Sequence, residues 1–132
     1  RTADAYLMAA EAILRGASAS KSTALAYVNE IRERAYMSGK YAQAGIRSDV
    51  SGDISESELT LDFILAERQR ELASELVRRT DLIRFDKFTK GNNWDWKDGV
   101  RLGQDVDDKY KLFPIPESEI VNNPTLIQNT GY

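Results

Sequence analysis

The chain has 132 residues, 42% hydrophobic and 30% charged, with 18 Lys and Arg against 21 Asp and Glu for a formal charge of −3; this balance suits one soluble globular domain and lacks the basic footprint of a nucleic-acid binder. It contains neither Cys nor His, which excludes a disulfide scaffold and ordinary zinc, haem and iron–sulfur sites. The longest strongly apolar run, Ala9 to Leu14, is interrupted by Glu11 and falls far short of the roughly 20 residues that span a bilayer.

In chain order, Tyr6, Leu7, Ala10, Ile13 and Leu14 fall at helical spacing and predict an amphipathic helix over residues 3–15, with Thr2 as its N-cap and Gly16 as its stop. Its alanines let a second helix approach closely. That partner follows after the short connection "ASASK", where Ala24, Leu25, Val28, Ile31 and Ala35 repeat the pattern over residues 22–36, so the pair is expected to form an antiparallel αα-hairpin with Tyr6 and Tyr27 in its core or interface. Residues 38–58 are rich in Gly, Ser and Asp without a period and read as a long mobile surface loop.

A third helix is expected to start at Thr60, its cap, with Asp62 in the first turn and a buried stripe of Leu61, Ile64, Leu65, Leu72 and Leu76 interrupted at Arg68. A shorter fourth helix follows from about Thr80 to Phe88. From residue 91 to 132 the periodicity stops. The segment reads as an irregular or weakly β tail in which Pro114 and Pro116 hold the backbone extended, Glu117 to Val121 form one turn, and Asn123 and Pro124 end it. The fold class is therefore mainly α: a tetratricopeptide-like hairpin, two further helices and an irregular C-terminal segment, in a single domain over residues 1–132.

The block "ERQRELASELVRRTDLIRF" carries the densest charge. In one helix, Glu67, Glu71 and Glu75 share a face and repel unless cations lie beside them. Arg70 lies three after Glu67, Arg68 three before Glu71 and Arg78 three after Glu75, while Arg79 and Arg84 reach from the next helix. Catalytic carboxylates need one raised pKa, whereas crowding cations lower them, so these eight residues read as a structural ion-pair network and no catalytic residue is assigned.

The candidates for ligand contact are Trp94 and Trp96, two residues apart among Asn92, Asn93, Asp95 and Asp98. An aromatic face stacks on the apolar face of a pyranose, and neighbouring amides and carboxylates bond its hydroxyls. If the segment is extended, the two rings face opposite sides and at least one packs on the helices. No phosphate cradle, nucleophile motif or complete calcium loop is present, so neither a cofactor nor a metal is expected.

The helices "ADAYLMAAEAIL" and "ALAYVNEIRERA", the block "ERQRELASELVRRTDLIRF" and the ending "LFPIPESEIVNNPTLIQNTGY" occur in this order over nearly the whole chain. Together they resemble the C-terminal region of the SusD/RagB family of glycan-capture lipoproteins. The resemblance implies a non-catalytic protein on the outer face of the outer membrane of Bacteroidetes-type bacteria, one that holds oligosaccharides over a SusC-like TonB-dependent transporter and passes them into its barrel. Family members are several times longer and carry a signal peptide and a lipidated Cys. A chain that opens at Arg1 inside a helix is accordingly expected to be a fragment, with its oligosaccharide bound mainly by parts lying outside it. The hairpin alone supports a second reading, a helical-repeat scaffold for protein–protein interaction.

Overall fold

The computed structural model describes residues 1–41 and 51–132. Its elements are helices, short 3-10 turns and irregular segments, with no strand among the described residues. The chain divides into two compact units, Arg1–Arg78 and Arg79–Tyr132.

In the first unit, α1 (Thr2–Leu14) and α2 (Lys21–Tyr36) pack on each other, and α3 (Leu61–Glu71) packs on α1. The buried face of α1 carries Ala3, Leu7 and Ala10, and that of α2 carries Ala24, Val28 and Ile31. Alanines at Ala10 and Ala24 leave room for close backbone approach, and the Tyr6 and Tyr27 rings stack at 5.3 Å between centroids. α1 ends in a Schellman motif with Gly16 left-handed, the amides of Gly16 and Ala17 returning to the carbonyls of Ile13 and Ala12. α2 begins with the Ser20 hydroxyl accepting from the Thr23 amide. Thr2 does not cap α1: it lies inside the first turn, and the N-cap position belongs to Arg1, whose side chain makes no capping bond.

Thr60 does cap α3, accepting from the Phe63 amide at 3.1 Å, with Asp62 in the first turn. The helix ends at Glu71, earlier than its spacing suggests. Leu72 is still buried, but Ser74 and Leu76 are left-handed and Leu76 is 93% exposed, so it leaves the expected apolar stripe. Tertiary contacts override the helix-forming sequence here: the break lets Arg78 Nη1 return to the Leu65 carbonyl at 2.9 Å.

The expected 38–58 loop falls partly outside the described residues, and its described part is anchored. Gly39–Tyr41 form a 3-10 turn. Asn29 on α2 clasps Ile54, donating to its carbonyl at 3.1 Å and accepting from its amide at 3.0 Å. Gly52, Ile54 and Leu59 are buried. A Cβ on Gly52 would lie 2.2 Å from the Tyr36 ring, so only glycine fits beneath that side chain.

In the second unit, α4 (Arg78–Arg84, with Arg78 itself in the first unit) is shorter than the predicted Thr80–Phe88 helix. It stops because Asp86 turns left-handed and the Lys87 amide bonds the Leu82 carbonyl at 2.7 Å, a Schellman closure made without glycine. α5 (Glu117–Asn122) occupies the single predicted turn before Asn123 and Pro124. The extended tail is closed by side chains: Gln128 accepts from the Ile115 amide at 2.8 Å and donates to its carbonyl at 2.9 Å. Asn129 donates to the Phe113 carbonyl at 2.7 Å, and the Tyr132 hydroxyl donates to that of Leu112 at 3.1 Å.

Asn29→Ala is expected to lower stability by about 1–3 kcal/mol, because it strands both backbone groups of Ile54. Denaturant unfolding checks the loss, and hydrogen exchange should show the Ile54 amide protected in the parent chain and released in the variant.

Candidate functional site

The charged block resolves into two arrangements, one in each unit. In the first, Glu67 is buried on α3 and its Oε2 accepts from Arg32 Nη1 on α2 and from Arg70 Nε, each at 2.9 Å. Arg32 also donates from Nε to the Gly52 carbonyl, and its guanidinium lies 5.5 Å from the ring centroids of both Tyr36 and Phe63. Arg68, the interruption in the apolar stripe, is buried and donates to Asp4 on α1 at 2.7 Å. Glu71 receives Arg34 Nη2 at 2.6 and 2.7 Å on its two oxygens and Arg1 Nη2 at 3.0 Å, while Glu75 pairs with Arg1 Nη1.

Of the pairs expected within the block, Arg70 with Glu67 is seen, at 2.9 Å. Glu71 and Glu75 take partners from α2 and from Arg1 in place of Arg68 and Arg78. In the second unit, Arg84 pairs with Asp81 at 2.9 Å, and Arg79 Nη2 donates to the Tyr110 carbonyl at 2.7 Å. Sequence reasoning missed Arg1, Asp4, Arg32 and Arg34. Their charges were visible, but a partner on another helix leaves no trace in local spacing.

The second unit holds an open cavity of about 430 Å³ lined by Trp94, Trp96, Phe88, Tyr110, Phe113 and Tyr132, with Arg79, Lys97, Asp98, Val106 and Leu112 completing the wall. Trp94 and Trp96 therefore face one space. The expectation of opposite facing fails because the segment is a turn: Trp96 and Asp98 are left-handed, and the Lys97 amide bonds the Trp94 carbonyl at 3.0 Å. The Trp94 ring tilts against Phe88 at 6.1 Å between centroids, yet both indoles keep exposed surface, Trp96 the more at 67%.

Lys97 holds this turn in shape. It is buried at 4% exposure, and its ammonium donates to the Thr89 carbonyl at 3.0 Å, the Asn92 carbonyl at 3.1 Å and Asn93 Oδ1 at 3.0 Å, which uses all three donors. The same ammonium lies 4.9 Å from the Trp94 ring centroid. Gly103 closes the turn from the other side, where a Cβ would meet the Trp94 carbonyl oxygen at 2.4 Å. Nearby, the Thr89 hydroxyl donates to Asp108 and holds that carboxyl below its ordinary range, with Lys111 and Lys90 adding to the effect.

Arg79 lies between aromatic faces, 5.0 Å from the Phe88 centroid and 4.4 Å from that of Phe113. One oxygen of Asp98 accepts from Gln104 Nε2 at 2.6 Å. The wall thus combines broad apolar faces with one carboxylate and two cations hydrogen-bonded to neutral oxygens, which equips it to hold a ring.

Glu67→Ala is expected to cost about 3–5 kcal/mol and the more exposed Glu71→Ala about 1–3 kcal/mol, because each leaves arginines without their carboxylate. Thermal melts of the two variants should fall in that order, with no change in ligand preference. Lys97→Met is expected to cost about 1–3 kcal/mol by orphaning three oxygens, and tryptophan fluorescence should report the loosened turn.

Comparison with known proteins places the chain in one family. The sequence model of the SusD family matches residues 1–132. The chain is 38% identical over 133 residues to the starch-binding protein SusD of Bacteroides thetaiotaomicron, an alignment that covers all of this chain and 21% of that protein. It is 36% identical over 135 residues to SusD-like protein P2 of Formosa agariphila, covering all of this chain and 25% of that protein. A solved SusD superfamily protein from Bacteroides vulgatus superposes with a TM-score of 0.68 at 28% identity, over 98% of this chain and 26% of the other. The chain thus spans a quarter or less of the curated relatives it matches, and it belongs to the SusD family.

Proposed function

We propose that this chain is the C-terminal part of a non-catalytic lipoprotein on the outer face of the outer membrane, which captures oligosaccharides and delivers them to a SusC-like TonB-dependent transporter. The observation that carries this reading is the family match over residues 1–132 together with 38% identity to a protein named for binding starch. The described residues agree in kind. Their charged clusters tie elements together, and their aromatic cavity is suited to holding a ring. Trp94 and Trp96 are the residues of this chain proposed to touch sugar, beside the main glycan contacts made by the rest of the longer protein.

The reading is tested on the longer protein that contains this sequence. Titration calorimetry against oligosaccharides is expected to show saturable binding without shortening of the glycan, and affinity capture from outer membranes should retain a large β-barrel transporter. Released sugar fragments, or absence of both glycan and barrel, would remove it.

A further inference from the structure

Resting on that reading, we propose that the aromatic cavity of the second unit takes an acidic sugar unit, a ring bearing a carboxylate or a sulfate ester, with Arg79 as the partner of its charge. Arg79 lines the cavity and has no carboxylate paired to it among the described residues. Its Nη2 donates to the carbonyls of Tyr110 and Lys111 at 2.7 and 3.2 Å, while Nε and Nη1 make no hydrogen bond among those residues. Phe88 and Phe113 fix where the guanidinium lies, and its in-plane N–H groups suit the oxygens of a carboxylate or sulfate.

The surroundings add charge of the same sign. Lys97 also lines the cavity, and its ammonium spends its donors on three neutral oxygens, so it offers a ligand its field and no hydrogen bond. Lys109 sets another cation 5.3 and 5.1 Å from the centroids of Tyr110 and Tyr132, two rings of the wall, and donates to the Gly131 carbonyl at 3.2 Å. Against these stands Asp98, the one acid among the described lining residues, already bound by Gln104 at 2.6 Å. In the adjoining turn, Asp107 accepts from the Lys109 amide, and Asp108 faces Lys111 at 3.4 Å and Lys90 at 3.9 Å. The wall therefore carries an excess of positive charge, and beside aromatic faces that exclude water such a charge attracts an anion more strongly than it does in bulk solvent. Trp96 at 67% and Phe113 at 72% exposure supply ring surface for the apolar C–H face of the same sugar, and the cavity volume of about 430 Å³ suits a short stretch of glycan.

The test is made on the longer protein that contains this sequence, by calorimetric titration with oligouronates, sulfated oligosaccharides and neutral gluco-oligosaccharides of equal length. At least one acidic class is expected to bind, with affinity that falls as salt rises. Arg79→Gln should weaken that binding at least tenfold and the binding of neutral sugars less than twofold. Asp98 is exposed, and an asparagine there can still accept from Gln104. Asp98→Asn should therefore tighten acidic binding about threefold and leave neutral binding unchanged, which decides the matter even where Arg79→Gln fails to fold. The stronger of the two acidic classes tells a carboxylate from a sulfate. If glycan binds but only neutral sugars are taken, or neither variant separates acidic from neutral ligands, the assignment of the cavity falls and the capture function stands. Absence of binding to every class removes the capture function and the cavity assignment with it.

Discussion

The first unit depends on answering the Arg32 guanidinium, which is drawn partly out of water. A cation withdrawn from solvent is tolerated only when its charge and its donors are both answered. Glu67 supplies the charge from α3, the Gly52 carbonyl supplies a second acceptor from the segment before Thr60, and Tyr36 and Phe63 supply aromatic faces. One side chain thereby fixes the relation of three stretches that the chain visits at separate times. The glycine at position 52 follows from the same demand, because no larger residue brings that carbonyl beneath Tyr36. Arg68 with Asp4, and Glu71 with Arg34 and Arg1, extend the tie to α1 and to the start of the chain.

The second unit solves a related problem without an anion. Lys97 is buried among neutral oxygens, so its role resembles that of a cation around which a loop is wrapped: the carbonyls converge because the ammonium is there. What the first unit achieves by pairing opposite charges between helices, the second achieves by coordinating one charge within a turn. The result is a rigid presentation of aromatic rings on backbone that has little regular structure of its own.

Local chemistry made much of this legible. Thr60 as a cap, Gly16 as a stop and the apolar periods of α1 and α2 each act within a few residues, and they lie where short-range rules place them. The end of α3 was not legible, because nothing near Leu72 breaks a helix and the reason to break it, the return of Arg78 to Leu65, is tertiary. The same limit applies to the charges. Arg70 with Glu67 is a helical neighbour pair and could be read, whereas Arg32 with Glu67 joins residues on different helices. Trp94 and Trp96 stood out by type, but their common facing depends on left-handed backbone at Trp96, a conformation that a tryptophan does not advertise. Lys97 gave no signal at all, being one lysine among many until its burial is seen.

The clasp between Gln128 and Ile115 bears on whether a foreign strand can pair with this tail. Leu112, Phe113 and Ile115 lie in an extended, partly exposed stretch, the kind of backbone that recruits a foreign strand and seeds aggregation. Pro114 and Pro116 have no amide hydrogen to offer, and the amide and carbonyl between them are already taken by one glutamine side chain. A neighbouring strand laid along this stretch finds no continuous row of donors, so the exposed apolar edge makes a poor template for fibrils.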